Sequence, residues 1–320
     1  MMKVTSRQQM KTALVAGLWL FVLTLQALSQ SVELRPATES KVVFTVSVTN
    51  HQGYPIKGLK PEHFKITSDK TPVEITDFSD QDEPFSVVFL VDTSRSMSEG
   101  NQSINRLGVV TDCIENFLLN SHQENEYAIL SFSNEIYPNL NWTKDGSSVA
   151  EALTRLMLQP VKGQTALYDA CRQGMRMLGS SSHRKRVIVL LSDGGMDNAS
   201  REARFGKVKQ EVLAKGVLIY TISIGYLPDI GGQDALDDLS KQTGGLSFIP
   251  KNQYEMNATF ELLALLLRNQ YKVGFKTSPA TSNGKSHSIK VEIKLPPTAP
   301  RELKYPLVKY RSGYVDRAER

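Results

Sequence analysis

The stretch "VFLVDTSRSMSEG", residues 88–100, decides how the rest of the chain is read. Val88 to Val91 run without interruption into Asp92, Ser94 and Ser96. Begun at Phe85, "FSVVFLVD" is a continuous apolar run, the pattern of a strand buried on both faces. Such strands belong to parallel sheets covered by helices. The carboxylate and two hydroxyls at every second position after it are compatible with a turn, a nucleophile or a metal site.

Working outward, "INRLGVVTDCIENFLLN" (104–120) places Leu107, Val110, Ile114, Phe117 and Leu118 on one helical face. "YAILSFS" (127–133) is a strand, and "EIYPNLNWT" (135–143) an edge strand, because Pro138 cannot donate to a ladder. Helical patterns follow at 147–158 and 165–179. "RVIVLLSDGG" (186–195) is a second apolar strand ending in a carboxylate, Asp193. "EARFGKVKQEVLAKG" is a helix closed by Gly216, "VLIYTISIG" a third buried strand, "DALDDLSKQTGG" a helix and "LSFIP" a short strand. "YEMNATFELLALLLRNQ" (254–270) ends the series as a helix. Strands alternating with helices predict a parallel sheet with helices on both faces.

The texture differs on either side. Residues 41–49 alternate Val42, Phe44, Val46 and Val48 with polar residues, and "HFKITSDKTPVEITDF" (63–78) gives two short strands around a Ser-Asp-Lys turn. After the α/β series, "YKVGFKTS", "HSIKVEIKL" and "PLVKYRSGYV" alternate again. Three strands on each side are too few for two sandwiches. They are expected to pair into one small β-sandwich with the α/β unit inserted, since each flank alone would expose apolar edges. The resulting division is 1–29, 30–83, 84–271 and 272–320, the last segment pairing with the second.

Residues 1–29 carry Lys3, Arg7 and Lys11, an apolar run from Ala13 to Leu25, and small residues at Ala27 and Ser29 before Gln30. This is the pattern of a secretory signal peptide, and the protein is expected to be secreted or periplasmic. The alternative is an uncleaved N-terminal membrane anchor, for which the run is short. The formal charge of +5 falls to +2 without this segment, which holds three basic and no acidic residues. No basic stripe remains, so no nucleic-acid partner is expected. "HRKR" (183–186) reads as a solvated loop. Cys113 and Cys171, the two cysteines, lie in helical patterns and read as small buried hydrophobes.

In an open α/β sheet, ligands bind beyond the carboxyl ends of the strands. Asp92 and Asp193 end two of them, and Thr165 in "KGQTALYDA" sits in a loop just before a helix. Asp92, Ser94, Ser96, Thr165 and Asp193 form an all-oxygen donor set, without His or Cys. That set suits a hard cation, Mg²⁺ or else Mn²⁺ or Ca²⁺, rather than zinc.

"DTSRS" with Thr165 and Asp193 resembles the D-x-S-x-S metal-ion-dependent adhesion site of von Willebrand factor type A domains. The resemblance extends over about 85–270 through the order of strands and helices. It implies a doubly wound, Rossmann-like, mostly parallel sheet. It also implies that Ser94, Ser96 and Thr165 meet the metal directly, with Asp92 and Asp193 acting largely through water. A protein partner presenting an Asp or Glu carboxylate would complete the metal's shell, making the chain a binding module and not an enzyme. The layout as a whole is similar to secreted bacterial von Willebrand factor A-related proteins of the kind first noted in Acidobacteria. If the domain switches between open and closed forms, the resemblance to type A domains implies that the last helix, here with Leu262, Leu263, Leu266 and Leu267, is the element to move.

Other readings fare worse. An EF-hand loop begun at Asp92 would need Gly and Glu where Met97 and Ser103 stand. A serine hydrolase needs a base for Ser94 or Ser96, yet none of the five histidines stands in a recognisable pairing and no G-x-S-x-G elbow exists. No nucleotide-binding glycine motif follows the first strand. A structural envelope scaffold, in which a metal only stabilises loops, is the remaining alternative to the binding module.

Overall fold

The computed structural model describes residues 40–98, 106–159, 163, 166–193, 201–224, 230–277, 284–296, 299–300 and 303–315. The proposed signal segment lies outside them. Among the described residues the chain forms one six-stranded sheet and two four-stranded sheets, within a compact unit spanning Glu39–Arg320.

The central sheet is built from β5 (Phe85–Asp92), β6 (Glu126–Phe132), β7 (Ile136–Thr143), β8 (Lys185–Ser192), β9 (Leu218–Ser223) and β10 (Ser247–Phe248), in the order β10-β9-β8-β5-β6-β7. All pairs are parallel except β6–β7, a hairpin that leaves Pro138 on the edge strand. Every residue of β5 is buried, and its alternate side chains enter two separate cores. Phe85, Val87, Phe89 and Val91 pack with helices α1 (Arg106–Leu119), α2 (Gly146–Met157) and α6 (Gln253–Arg268). Val88 and Leu90 pack with α3 (Leu167–Met177), α4 (Arg201–Lys215) and α5 (Ile230–Thr243). Each fully buried Val, Leu or Phe side chain contributes about 1.5–3 kcal/mol, which is why this stretch commits the chain to a three-layer α/β/α arrangement. Cys113 lies in the first core and Cys171 in the second, on opposite faces of the sheet, so no disulfide joins them.

The flanking strands share sheets. β1 (Lys41–Thr49) lies between β11 (Tyr271–Lys276) and β13 (Leu307–Tyr310), with β4 (Asp77–Ser79) on the far edge of β11. β2 (Phe64–Ser68) lies between β12 (Ser286–Ile293) and β3 (Thr71–Val73), with β14 (Gly313–Val315) beyond β12. Val42, Phe44 and Val46, opposite Phe275, Val273 and Tyr271, face Ile66, Ile289, Val291 and Tyr314 of the other sheet in one core. The sandwich therefore has eight strands rather than the expected six. Asp77–Ser79 adds an edge strand, and "PLVKYRSGYV" is two strands, not one. The chain breaks at Arg311 and Ser312 and places its halves in opposite sheets.

Sandwich and central sheet are bound closely. Gln270 Nε2 donates to Ser47 Oγ at 2.9 Å and to Tyr220 Oη at 3.0 Å. Ser312 N donates to the Gln242 carbonyl at 3.2 Å. Gly244, at φ +86°, comes so near β13 that a Cβ there would lie 2.4 Å from the Tyr310 carbonyl carbon. "HRKR" is not simply a solvated loop: Lys185 and Arg186 open β8 and are partly buried, while Arg184 stays exposed. No helix among the described residues is long and apolar enough to cross a membrane.

Candidate metal centre

The sheet order reverses between β5 and β8. β6 and β7 lie to one side of β5, and β8, β9 and β10 to the other. The crevice beyond the carboxyl ends at such a reversal is where open α/β sheets take ligands. Asp92 ends β5 there, and Ser192 ends β8, with Asp193 next in the chain.

Asp92 is fully buried, not exposed on an open rim. Its Oδ1 accepts the Ser94 N–H at 2.8 Å, closing a local Asx turn. Its Oδ2 accepts the Ser192 hydroxyl at 2.6 Å. Burial pushes the Asp92 carboxyl up to about 6, and the neighbouring Asp193 charge adds to this; the Ser192 and Ser94 hydrogen bonds act against it. Thr93 is pinned to the end of β6, its N–H and its hydroxyl both donating to the Phe132 carbonyl at 2.8 and 3.1 Å.

After Ser94 the chain does not run extended. Arg95–Ser98 coils into one 3₁₀ turn, with Met97 N donating to the Ser94 carbonyl at 3.1 Å. The turn seats Met97 in the core beneath. Asp92, Ser94 and Ser96, at every second position in the sequence, are therefore carried by a strand end and a turn rather than by one extended run. The Ser96 side chain lies outside the described residues. So does Thr165, but the chain on both sides of it is placed. Arg95 N donates to the Gly163 carbonyl at 3.2 Å, and Ala166 N to the Ser133 carbonyl at 2.8 Å. Gly163 has φ +77° and lies against Asn134, where a Cβ would come within 2.6 Å of that side chain. This glycine lets the backbone at 163 approach the turn that follows β5. Gly194 and Gly195, which follow Asp193, lie outside the described residues.

Two residues escape the sequence pattern. Ser192 orients Asp92. Ser223, opposite Ser192 in the parallel register, ends β9, and its Oγ is buried without a hydrogen-bond partner among the described residues. The only sequence signal was that "LLSDGG" and "YTIS" each place a serine at a strand end.

A hard cation fits this chemistry. The donors are carboxylate and hydroxyl oxygens, two carboxylates of like charge act on each other, and one buried hydroxyl is orphaned. No group of three or more His, Cys, Asp or Glu suited to a metal occurs among the described residues. None of the five histidines lies on a loop at the carboxyl ends of the central strands. His122 and His183 lie at the amino end of the sheet, where His183 Nε2 meets the Glu124 carbonyl. His51 lies in a turn after β1, His63 at the start of β2, and His287 in the sandwich beside Asp69.

The family model of the von Willebrand factor type A domain matches residues 87–195. The calcium-activated chloride channel regulator 1 of Equus caballus is 26% identical over 183 residues, which cover 56% of this chain but only 18% of that protein. The PilB minor pilin of Streptococcus sanguinis is similar in fold. A point mutant of that pilin gives a TM-score of 0.51 at 16% identity over 58% of this chain and 62% of the pilin. The unmutated pilin gives 0.50 at 17% identity over 61% and 63%. The segment 87–195 of this α/β unit belongs to the von Willebrand factor type A domain family.

Proposed function

We propose that this protein is a metal-dependent protein-binding module that works outside the cytoplasm, in the bacterial envelope or beyond it. Asp92, Ser94, Ser96, Thr165 and Asp193 hold a divalent cation, Mg²⁺ or else Mn²⁺ or Ca²⁺, and a protein partner supplies an Asp or Glu carboxylate to it. The observation that carries this reading is Asp92. It is a buried carboxylate with each oxygen fixed by a serine, and a second carboxylate acts on its charge. Burying such a group is costly unless an opposite charge compensates it. A bound hard cation supplies that charge and a site at which a carboxylate oxygen can coordinate. Ser192 sets the Asp92 oxygens, and the Asx turn sets Ser94. The export reading rests on the charged and apolar pattern of residues 1–29.

Calorimetry with Mg²⁺ and Mn²⁺ tests the centre: saturable binding is expected, and its absence sinks the proposal. Capture from an envelope fraction, with and without chelator, tests the function. The expected result is a partner held in Mg²⁺ and released on chelation. Retention after chelation would instead favour a scaffold in which the metal only stabilises loops.

A further inference from the structure

The far end of the sheet holds a second feature that metal-dependent binding does not use. A cavity of about 200 Å³ lies between the start of β8 and the sandwich sheet containing β1 and β11. Its charged lining is Arg184, Lys185 and Arg186 from β8 and the residue before it, Lys272 from β11, Arg311 after β13, and the acids Asp77 and Glu83. Both acids are already engaged, Asp77 with Lys41 at 2.5 Å and Glu83 with Lys272. The Lys185 ammonium donates to the Leu267 carbonyl and lies 5.1 Å from the centre of the Phe85 ring.

Three guanidiniums remain. Arg184, Arg186 and Arg311 form no salt bridge with a carboxylate among the described residues. The Nε atoms of Arg186 and Arg311 are buried with no acceptor. Arg311 lies over the Phe44 ring, its Cζ 5.9 Å from the centroid, and burial pushes it down to about 10. Gly216 makes room for it, since a Cβ there would come within 3.0 Å of Arg311 Nη1. Buried guanidinium N–H groups without acceptors are costly and uncommon in folded proteins. The edge bearing Nε and one Nη is the fork that takes two oxygens of one anion.

We propose that this cavity binds a small multivalent oxyanion from solution, phosphate or a phosphomonoester, between Arg184 and Arg186 of the α/β unit and Arg311 of the sandwich. The volume excludes a folded partner or a nucleic-acid strand. Three guanidiniums from two structural units favour an anion with more than one charge and more than two oxygens. Because β8 runs from Lys185 to Ser192, the cavity and the metal centre are about 23 Å apart along the strand. The bound anion ties the sandwich to the sheet.

The test is calorimetry and thermal unfolding of the full chain, with inorganic phosphate replacing chloride at constant ionic strength. One saturable site and a raised Tm are expected. Arg311→Gln should weaken phosphate binding at least about tenfold, the loss of a charged hydrogen-bonding group. Arg184→Gln, at an exposed position, should weaken it by a smaller factor with an unchanged circular dichroism spectrum, which keeps the test open if Arg311→Gln fails to fold. Asp92→Asn should bind phosphate as the natural chain does. Lack of saturable phosphate binding, or equal affinity in the natural chain and Arg184→Gln, would overturn the proposal. So would sedimentation with phosphatidic-acid vesicles without binding of free phosphate, which would make the source a lipid headgroup.

Discussion

Ser192 donates its hydroxyl to Asp92 Oδ2 at 2.6 Å across two adjacent parallel strands, and both residues are fully buried. The bond joins the two strands at the point where sheet order reverses, so the orientation of the leading carboxylate depends on a residue 100 positions away. Asp92→Asn is expected to abolish Mg²⁺ and Mn²⁺ binding while keeping the fold, because the amide retains the shape. Ser192→Ala should leave the metal bound about tenfold more weakly, the usual effect of losing a group that orients a ligand, and should cost about 1 kcal/mol of stability. Calorimetry on both variants separates the roles; unaltered metal affinity in Ser192→Ala would make Ser192 merely structural.

Gln270 joins the sandwich to the sheet through Ser47 and Tyr220. Gln270→Ala leaves both hydroxyls buried without this partner and should cost about 1–3 kcal/mol. Urea unfolding should show a lower midpoint with one transition, since both parts belong to one compact unit. Two separated transitions in the natural chain would contradict that coupling.

Lys185 sets a pH dependence. Burial pushes its ammonium down to about 7, against the opposing pull of Asp82 and Glu83. In the unfolded chain the same group holds its proton to about 10.4. Between these values the unfolded state binds a proton that the folded state does not, so stability rises with pH across this window. Below about 7 both states are protonated and this contribution is flat. Lys185→Met should remove the rise. Urea midpoints from pH 6 to 10 in phosphate-free buffer test this, and an unchanged slope in the variant would assign the effect elsewhere.

Cys113 and Cys171 should be unreactive toward a thiol reagent in the folded protein. Burial pushes both thiols up to about 12, and the thiolate is the reacting form. Both should react in denaturant without reductant. Fewer than two reactive thiols there would show that one had been oxidised.

Much of this was readable locally. Unbroken apolar runs mark strands buried on two faces, and "FSVVFLVD" is buried at every position. Alternation marks the half-buried sandwich strands, as in β12 with His287, Ile289 and Val291 inward. The Ser-Asp-Lys turn is equally local: Asp69 and Lys70 both take positive φ between β2 and β3. Less legible were features set by what a segment meets. "PLVKYRSGYV" reads as one strand, yet is divided between two sheets because β1 and β12 offer separate edges to it. "HRKR" is as polar as any loop, yet the sandwich folds over its second half.

By itself, the sequence determined the strands and helices of the α/β unit, because burial periodicity is a property of neighbouring residues. It also determined the chemical character of the candidate metal centre, because only oxygen donors follow those strands. Tertiary structure decided that Asp92 is buried and held by Ser192, that Ser96 lies in a turn whose Met97 is buried, that the cysteines stand on opposite faces, and that Arg186 and Arg311 meet at one cavity. Each of these depends on two segments distant in the chain being packed against each other. The free energy of such packing comes from the joint burial of surfaces, which neither segment encodes alone.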